Sequence, residues 1–317
     1  MITYTDPHNR IFKNLRVSLT DVCNLNCVYC TLGNEDNIIA DHRPQKNASF
    51  FINLIAKLHQ QLSLETIRLT GGEPLLYREL PQLIQGLNQQ NIHQIQMTTN
   101  GYLLARQAQA LKDAGLKSVN ISLDATDEDI FFKITKRKNV NKVIAGIDAA
   151  LNCGLTVKLN AVIMKGINES QILPLLDFAF SKNIIIRFLE VMAMGHLYTN
   201  TETHFVGQKQ ILDTIASKYS FTKKDRQLSA TANYWQTSCG QTFGIIANES
   251  APFCHDCNRL RLDAKGNIYG CLSNNNPIAI TAEMDNVKLA QNLQAAMQQK
   301  QLFKFTGSPL SMLQIGG

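Results

Sequence analysis

Along the first two-thirds of the chain, short β-branched runs alternate with longer stretches whose apolar residues recur at i, i+3 and i+4. Leu15–Leu19, Thr66–Thr70, Ile95–Thr99, Val119–Asp124, Val157–Met164 and Ile184–Val191 read as strands. Phe50–Leu62, Leu80–Gln90, Leu103–Ala114, Val140–Asn152, Ile172–Phe180 and Lys209–Tyr219 read as helices. Gly115 and Gly154 stand where two of those helices should stop. Six β–α units in series predict a parallel sheet with its helices outside. Their spacing suits an incomplete barrel of six strands rather than a closed one of eight.

The pattern changes after Tyr219. Phe221–Thr231 is polar, and shorter strand signals follow at Thr242–Ile246, Arg259–Asp263 and Ile268–Leu272. The last two are joined through Ala264-Lys265-Gly266-Asn267, which predicts a hairpin. A final helix over Val287–Lys300 precedes the terminal Gly316-Gly317. These signals predict an α/β core over residues 1–220 and a smaller α+β extension over 221–317 packed on it.

Composition narrows the class only slightly. With 44% apolar and 18% charged residues in 317, the chain has material for a substantial core. A balance of 31 basic to 25 acidic residues suits an anionic small molecule or weak nucleic-acid contact and decides between neither. The first ten residues are polar, and no apolar run approaches the ~18 residues a membrane span needs. A cytoplasmic location without a membrane partner is the expectation. Eight cysteines are too few for a disulfide scaffold, and their uneven placement is informative. Cys23, Cys27 and Cys30 cluster early, Cys254, Cys257 and Cys271 late, and Cys153 and Cys239 stand alone.

In a barrel of this kind functional groups gather at the C-terminal ends of strands. Strand one runs into the first triplet and strand two into Thr70-Gly71-Gly72-Glu73-Pro74. Strand three ends in Thr98-Thr99-Asn100-Gly101, and strand four carries Asn120, Ser122 and Asp124. Strand five carries Lys158 and Asn160, and strand six Arg187, Glu190 and Met192. Turn formers could account for any one of these, but poorly for all six.

Cys23-x3-Cys27-x2-Cys30 admits three chemistries. Structural zinc wants four ligands, and the nearest histidine, His42, lies 12 residues on. A dithiol pair would use Cys27 and Cys30 and leave Cys23 unexplained. A 4Fe–4S cluster on three thiolates leaves one iron open to an external molecule, and the spacing favours this. The late triplet, Cys254-x2-Cys257-x13-Cys271, could also hold zinc completed by His255. Within it Arg259 and Arg261 alternate with Leu260 and Leu262, so both guanidiniums fall on one strand face. Paired guanidiniums suit a polyphosphate; a solvated hairpin edge is the alternative.

"CNLNCVYC" after the first strand and "TGGEP" after the second resemble the radical S-adenosylmethionine (SAM) enzymes. That resemblance implies SAM chelating the open iron, and a 5′-deoxyadenosyl radical that removes a substrate hydrogen. "FCHDCNRLRLDAKGNIYGCLS" is similar to one subfamily, the GTP 3′,8-cyclases of molybdenum cofactor biosynthesis. It implies an incomplete (βα)6 TIM-type barrel whose C-terminal α+β extension carries a second 4Fe–4S cluster, with an open iron that contacts guanine. The implied reaction removes the ribose 3′ hydrogen of GTP, joins that carbon to guanine C8, and yields (8S)-3′,8-cyclo-7,8-dihydro-GTP, the first step toward molybdopterin. Carried over by motif, Arg16, Arg68, Thr98, Lys158, Arg187 and the Arg259-Leu260-Arg261 segment look like GTP contacts. Tyr29, Gly72, Ser122 and Met192 look like SAM contacts, with Gly71 and Gly72 letting backbone approach SAM. The Gly316-Gly317 tail would reach into the catalytic site. The resemblance further implies a flavodoxin- or ferredoxin-type reductant, a downstream cyclic pyranopterin monophosphate synthase, no nucleic acid, and a monomer or homodimer.

Two rival functions stand beside this one: a radical SAM enzyme acting on a peptide or protein, and a non-catalytic iron–sulfur or zinc protein binding nucleic acid. Three positions depart from the subfamily pattern. The loop after Cys30 reads "TLGN" where Met-Pro is common, and Asn26 and Tyr77 stand where basic residues are frequent. These are expected to be loop and rim positions.

Overall fold

The computed structural model describes residues 4–31 and 45–315. The first half follows the expected alternation: β1 (Asn14–Ser18), α1 (Ala48–Leu62), β2 (Thr66–Thr70), α2 (Leu80–Gln89), β3 (Ile95–Thr99), α3 (Ala108–Asp113) and β4 (Ser118–Ser122). Then come α4 (Glu128–Thr135), α5 (Val140–Asn152), β5 (Thr156–Ile163), α6 (Ile172–Ser181), β6 (Ile185–Glu190) and α7 (Gln208–Ala216). Strands β1 to β6 pair in sequence order, each parallel to the next.

Their faces divide cleanly. On β1, Leu15 and Val17 are buried in the main core, whereas Arg16, on the opposite pleat, lines the barrel interior. Helix α1 shows how the outer layer is held. Phe51, Leu54, Ile55, Leu58 and Leu62 recur on one face and are buried, and the Asn47 side chain caps the start by accepting from Phe50 N at 2.9 Å. Each such apolar side chain contributes about 1.5–3 kcal/mol by leaving water.

The remaining elements are β7 (Phe221–Lys223), β8 (Asn233–Thr237), β9 (Thr242–Ile246), β10 (Arg259–Leu262), β11 (Asn267–Tyr269), β12 (Ile278–Ala279), α8 (Asn286–Gln298) and α9 (Met312–Ile315). They do not form a sheet of their own. The single 12-stranded sheet runs β12-β11-β10-β1-β2-β3-β4-β5-β6-β9-β8-β7. β10 lies parallel to β1 and β9 parallel to β6, so the extension lengthens the parallel array by one strand at each edge. The ends β12 and β7 are not paired with each other, so the barrel stays open.

Several expectations needed revision. The helix expected over Leu103–Ala114 breaks into a 3-10 turn, Leu104–Arg106, followed by the shorter α3. Helix α4 was not anticipated; it is one face of two turns, capped by Asp127 accepting from Ile130 N at 2.9 Å. The polar stretch after Tyr219 opens with β7, and β8 joins it in a hairpin that continues into β9. Asn26 and Tyr77 are not rim positions. Asn26 is 1% exposed, with its side-chain Oδ1 accepting from Thr31 Oγ1, and Tyr77 is 3% exposed, with its hydroxyl donating to Lys46 O. The polar atoms of both are absorbed locally, which lets them sit inside.

Candidate active site

Both cysteine triplets line one cavity of about 790 Å³, the first at the C-terminal ends of the parallel strands and the second at the N-terminal ends of β10 and β1. The first sits on the loop after β1, and its fold is dictated by backbone contact. Gly72 N donates to Thr20 O (2.6 Å) and Glu73 N to Val22 O (2.8 Å). A Cβ on Gly72 would lie 2.2 Å from Val22 O, and one on Gly71 2.6 Å from Thr20 O. Close loop-on-loop packing is therefore a sufficient reason for both glycines, apart from any approach to a cofactor. On the other side, Asn26 N and Val28 N donate to the carbonyls of Thr135 and Ile134, which stitches the loop to the end of α4.

Two buried carboxyls flank this triplet. Glu73 accepts from Thr99 Oγ1 (2.6 Å), Asn100 N (2.7 Å) and Leu75 N (3.0 Å), yet burial still pushes it up to about 7. Asp124, raised by burial to about 6, accepts from Tyr29 Oη and Val162 N, both at 2.8 Å. Burial, with Glu73 next, pushes the Cys23 thiol up to about 12. Burial and then Asp124 push Cys27 well above the thiol range, and burial raises Cys30 to about 11. Such thiols ionise only when a strongly positive centre replaces the missing solvent, which suits iron.

The second triplet is gathered from three places. Cys254 opens a 3-10 turn ending at Asp256, Cys257 follows it, and Cys271 comes just after β11. Burial and the neighbouring Cys271 and Cys257 raise Cys254 to about 11. Cys257 goes the other way: burial alone would raise it, but Lys300 and Arg259 bring it down to about 6. Zinc completed by His255 does not fit, because that side chain is exposed and outside the cavity lining. Among the described residues no three His, Cys, Asp or Glu side chains close around one point as a single metal ion requires. Three thiolates at each triplet would hold three corners of a four-iron cage and leave its fourth iron open.

Between the triplets lies the cationic wall. Strand register sets Arg261, Arg16, Arg68 and Gln96 in one row across β10, β1, β2 and β3, with Arg68 Nη2 donating to Gln96 Oε1. Thr98, Asn120 and Lys158 form a second row. Ser122, Asn160 and Arg187 form a third, in which Arg187 Nε donates to Asn160 Oδ1 at 2.9 Å. Burial, then the repulsion of Arg261, Arg68 and Arg259, pulls Arg16 well below the guanidinium range. Burial brings Arg68 to about 10, with Arg187 and Arg259 adding to the fall, and burial brings Arg261 to about 10. Arg68 Nη1 and Arg259 Nη2 are buried without a hydrogen-bond partner. Carboxylates are scarce in the lining: Glu65 is paired to Lys13, and Asp124 is held by Tyr29. Crowded, desolvated guanidiniums with spare donors are a polyanion site.

The structure brings most of the expected residues together. Arg16, Arg68, Thr98, Lys158, Arg187, Arg259 and Arg261 line the cavity, as do Tyr29, Gly72, Ser122 and Met192. Leu260 does not: it is fully buried in the core, leaving only its main chain available to a substrate. Gly316 and Gly317 lie outside the described residues. Of the two remaining cysteines, Cys153 is half-buried and Cys239 exposed. Lys300 escaped the sequence-based expectation, and Asn100 and Asn160, named there only as strand-end groups, gain specific partners. Lys300 donates to Cys257 Sγ at 3.1 Å, Asn100 Nδ2 bonds Asn24 Oδ1 at 2.8 Å beside Cys23, and Asn160 orients Arg187. Asn100, inside "TTNG", and Asn160, on strand five, carried a usable signal as polar groups at strand ends; Lys300 carried none.

Comparison with known proteins agrees. Residues 17–179 match the radical SAM superfamily model, and residues 184–304 the Molybdenum Cofactor Synthesis C model. A GTP 3′,8-cyclase of Synechocystis sp. is 37% identical over 278 residues, covering 88% of this chain and 84% of that protein. One from Nautilia profundicola is 40% identical over 84% of this chain and 83% of that protein. Among solved structures, Streptococcus suis SuiB bound to precursor peptide SuiA superposes with a TM-score of 0.66 over 92% of this chain and 68% of its own, at 16% identity. Native anSMEcpe with bound AdoMet gives 0.62 over 90% and 81%, at 12% identity. At those identities the likeness speaks for the fold alone. The relatives speak for more: the chain belongs to the radical SAM superfamily and, within it, to the GTP 3′,8-cyclase family.

Proposed function

We propose that the cavity binds GTP and SAM together and that the protein acts as a GTP 3′,8-cyclase, the entry step to molybdenum cofactor. The observation that supports it most is the row Arg261–Arg16–Arg68 with the unpartnered Nη1 of Arg68 and Nη2 of Arg259 beside it. A triphosphate seated there relieves the mutual repulsion of the guanidiniums and satisfies buried donors that otherwise cost about 1–3 kcal/mol each. Lys158, one strand row away, and Arg187, two rows away, would hold the rest of the nucleotide, and Thr98 offers a hydroxyl in the row of Lys158. The main chain at Leu260 continues the Arg259–Arg261 contact.

Cys23, Cys27 and Cys30 would hold one 4Fe–4S cluster and Cys254, Cys257 and Cys271 the other. When bound, the clusters and SAM supply the electron transfer and the radical chemistry that no side chain can. The protein's own part is placement. Tyr29, Gly72, Ser122 and Met192 form the SAM side of the cavity, and Asp124 fixes Tyr29. Asn160 fixes the reach of Arg187, and holding the ribose in register is worth several orders of magnitude in rate. Helix α9 carries the chain into the cavity: Met312 and Leu313 line it, and Leu313 N donates to the Cys30 thiol. Gly316 and Gly317 would follow directly, which supports a tail that completes the catalytic site.

A flavodoxin- or ferredoxin-type reductant would dock outside the first triplet. A second cavity of about 380 Å³ has Val28, Met164 and Ile167 in its floor and Lys133, Lys136 and His196 at its rim. Val28 stands between two of the cysteines, so an acidic electron carrier seated on those cations comes close to the first cluster. The product would pass to a cyclic pyranopterin monophosphate synthase. No helix among the described residues is long and apolar enough to cross a membrane, consistent with work in the cytoplasm.

The test is anaerobic reconstitution followed by iron and sulfide analysis, then turnover with SAM, reductant and each nucleoside triphosphate. About eight irons per chain and release of 5′-deoxyadenosine only with GTP are expected. Equal turnover with ATP, or zinc in the second site, would overturn the assignment.

A further inference from the structure

The second cysteine triplet is fastened by two cations from opposite ends of the chain. Lys300, just beyond α8, donates from Nζ to Cys257 Sγ (3.1 Å) and to Arg259 O (3.0 Å). The next carbonyl, of Gln301, accepts from Arg10 Nη1 at 3.1 Å, and the same nitrogen donates to Cys254 O at 2.6 Å. Arg10 is itself held: its Nε donates to Asp6 Oδ2 (2.6 Å) and its backbone N to Asp6 Oδ1 (2.9 Å). Arg10 is 7% and Asp6 5% exposed. One cation therefore grips a cysteine by its sulfur and the other grips a cysteine by its carbonyl, while adjacent residues 300 and 301 tie the two grips together.

Among the described residues nothing comparable surrounds the first triplet, where the donors to sulfur are neutral. Leu25 N and Asn100 Nδ2 reach Cys23 at 3.4 and 3.7 Å, and Leu313 N reaches Cys30. Hydrogen bonds and charge at ligand sulfurs set cluster potentials, and groups behind the ligands orient them. A fixed positive charge favours the state carrying one more electron.

We propose that Lys300 raises the reduction potential of the second cluster and that Arg10, anchored by Asp6, is a positioning residue that presets Cys254 for it. The proposal rests on the assignment of this triplet as a cluster site. Neither role touches GTP through a sequence motif, and the two ends of the chain meet only in the fold.

The experiment isolates the second cluster by combining Cys23→Ser, Cys27→Ser and Cys30→Ser in the full chain. Iron content and an electron-paramagnetic-resonance redox titration are then measured, with no turnover required. Lys300→Met should keep its iron and lower the midpoint potential by at least a tenfold shift in the reduction equilibrium, about 59 mV for one electron. Lys300→Arg, which keeps the charge, should recover most of it. Arg10→Gln should cut iron at this site at least threefold with helical circular dichroism unchanged, and Arg10→Lys should fall between. An unshifted potential in Lys300→Met would overturn the tuning role. Full iron in Arg10→Gln, or collapse of the whole fold, would overturn the positioning role, which is local. If the background protein with Lys300 and Arg10 intact binds no cluster, the cluster assignment itself fails, and that outcome is distinct from the others.

Discussion

The two cysteine triplets face each other across one cavity, yet opposite charges surround them. Glu73 and Asp124 stand behind the first, and burial raises the two carboxyls to about 7 and about 6, so negative charge there is unscreened by solvent. Around the second, Arg10 reaches Cys254 O and Lys300 reaches Cys257 Sγ, and the nearby carboxylates Asp6 and Asp256 are drawn below the usual range by arginine partners against the effect of burial. A site flanked by acids resists an added electron, whereas one flanked by bases accepts it. On the proposed function, the first triplet would take the demanding reduction and the second would face the bound nucleotide.

The largest effects should come from removing one cysteine ligand from each triplet. Cys23→Ser should reduce 5′-deoxyadenosine formation to background. Cys271→Ser should spare SAM binding, measured by equilibrium dialysis, and abolish cyclisation of GTP. Product formation by Cys271→Ser at the parent rate would dissolve the distinction.

How much of this was legible beforehand follows from what kind of pattern each feature makes. Strands β2 and β3 and helix α5 were read with correct limits because period two and period 3.6 are local signals. The ligand cysteines and "TGGEP" were legible because short spacing encodes a loop geometry. Pairing between distant segments is not written locally. Nothing in "NRLRLD" announces that Arg259–Leu262 lies parallel to β1, or that Thr242–Ile246 lies parallel to β6. Lys300 and Arg10 were missed for the same reason, since their partners are 43 and 244 residues away. Asn26 and Tyr77 lie inside although their polar residue types favour the rim, because each side chain finds a partner there, Thr31 Oγ1 and Lys46 O.

A smaller effect should come from the arginine row. Arg16→Ala removes a cation that register sets between Arg261 and Arg68. Losing its charged hydrogen bonds should cost about 1.5–3 kcal/mol in GTP binding, roughly 10- to 100-fold in Kd. SAM binding at the first triplet should be unaffected, and added salt should narrow the gap between parent and variant. An unchanged Kd by calorimetry would remove this row from the substrate site.

The two regions should also answer pH in opposite directions. Glu73 has a raised folded pKa, about 7 against a usual 4.5, so its contribution to stability is present below 4.5 and is lost as pH rises through 7. For the metal-free protein, the stability difference between parent and Glu73→Gln should therefore fall by about 2.5 kcal/mol from pH 5 to 8. Asp256 is held low by Arg226 and by Ser229 N, so its contribution is present above the usual 3.8 and is lost only as pH falls below it. Asp256→Asn should then differ from the parent by a constant amount between pH 5 and 8. Denaturant titrations at the two pH values measure both, and parallel behaviour of the two variants would contradict the contrast.

The smallest effect concerns electron delivery to the acid-flanked side. Val28 lies on the floor of the outer cavity with Lys133 and Lys136 at its rim, and its amide is tied to Ile134 O in the helix that carries Lys133. Reversing both charges with Lys133→Glu and Lys136→Glu should leave the cluster loop in place, since those bonds are made by the main chain. Rim charges act mainly on association, so the rate supported by reduced flavodoxin should fall about tenfold at low salt and less at high salt. Turnover driven by dithionite, which needs no docking surface, should match the parent. Equal loss with both reductants would show that the lysines act on the site and not on a partner. No loss with either would move the entry point for electrons elsewhere on the molecule.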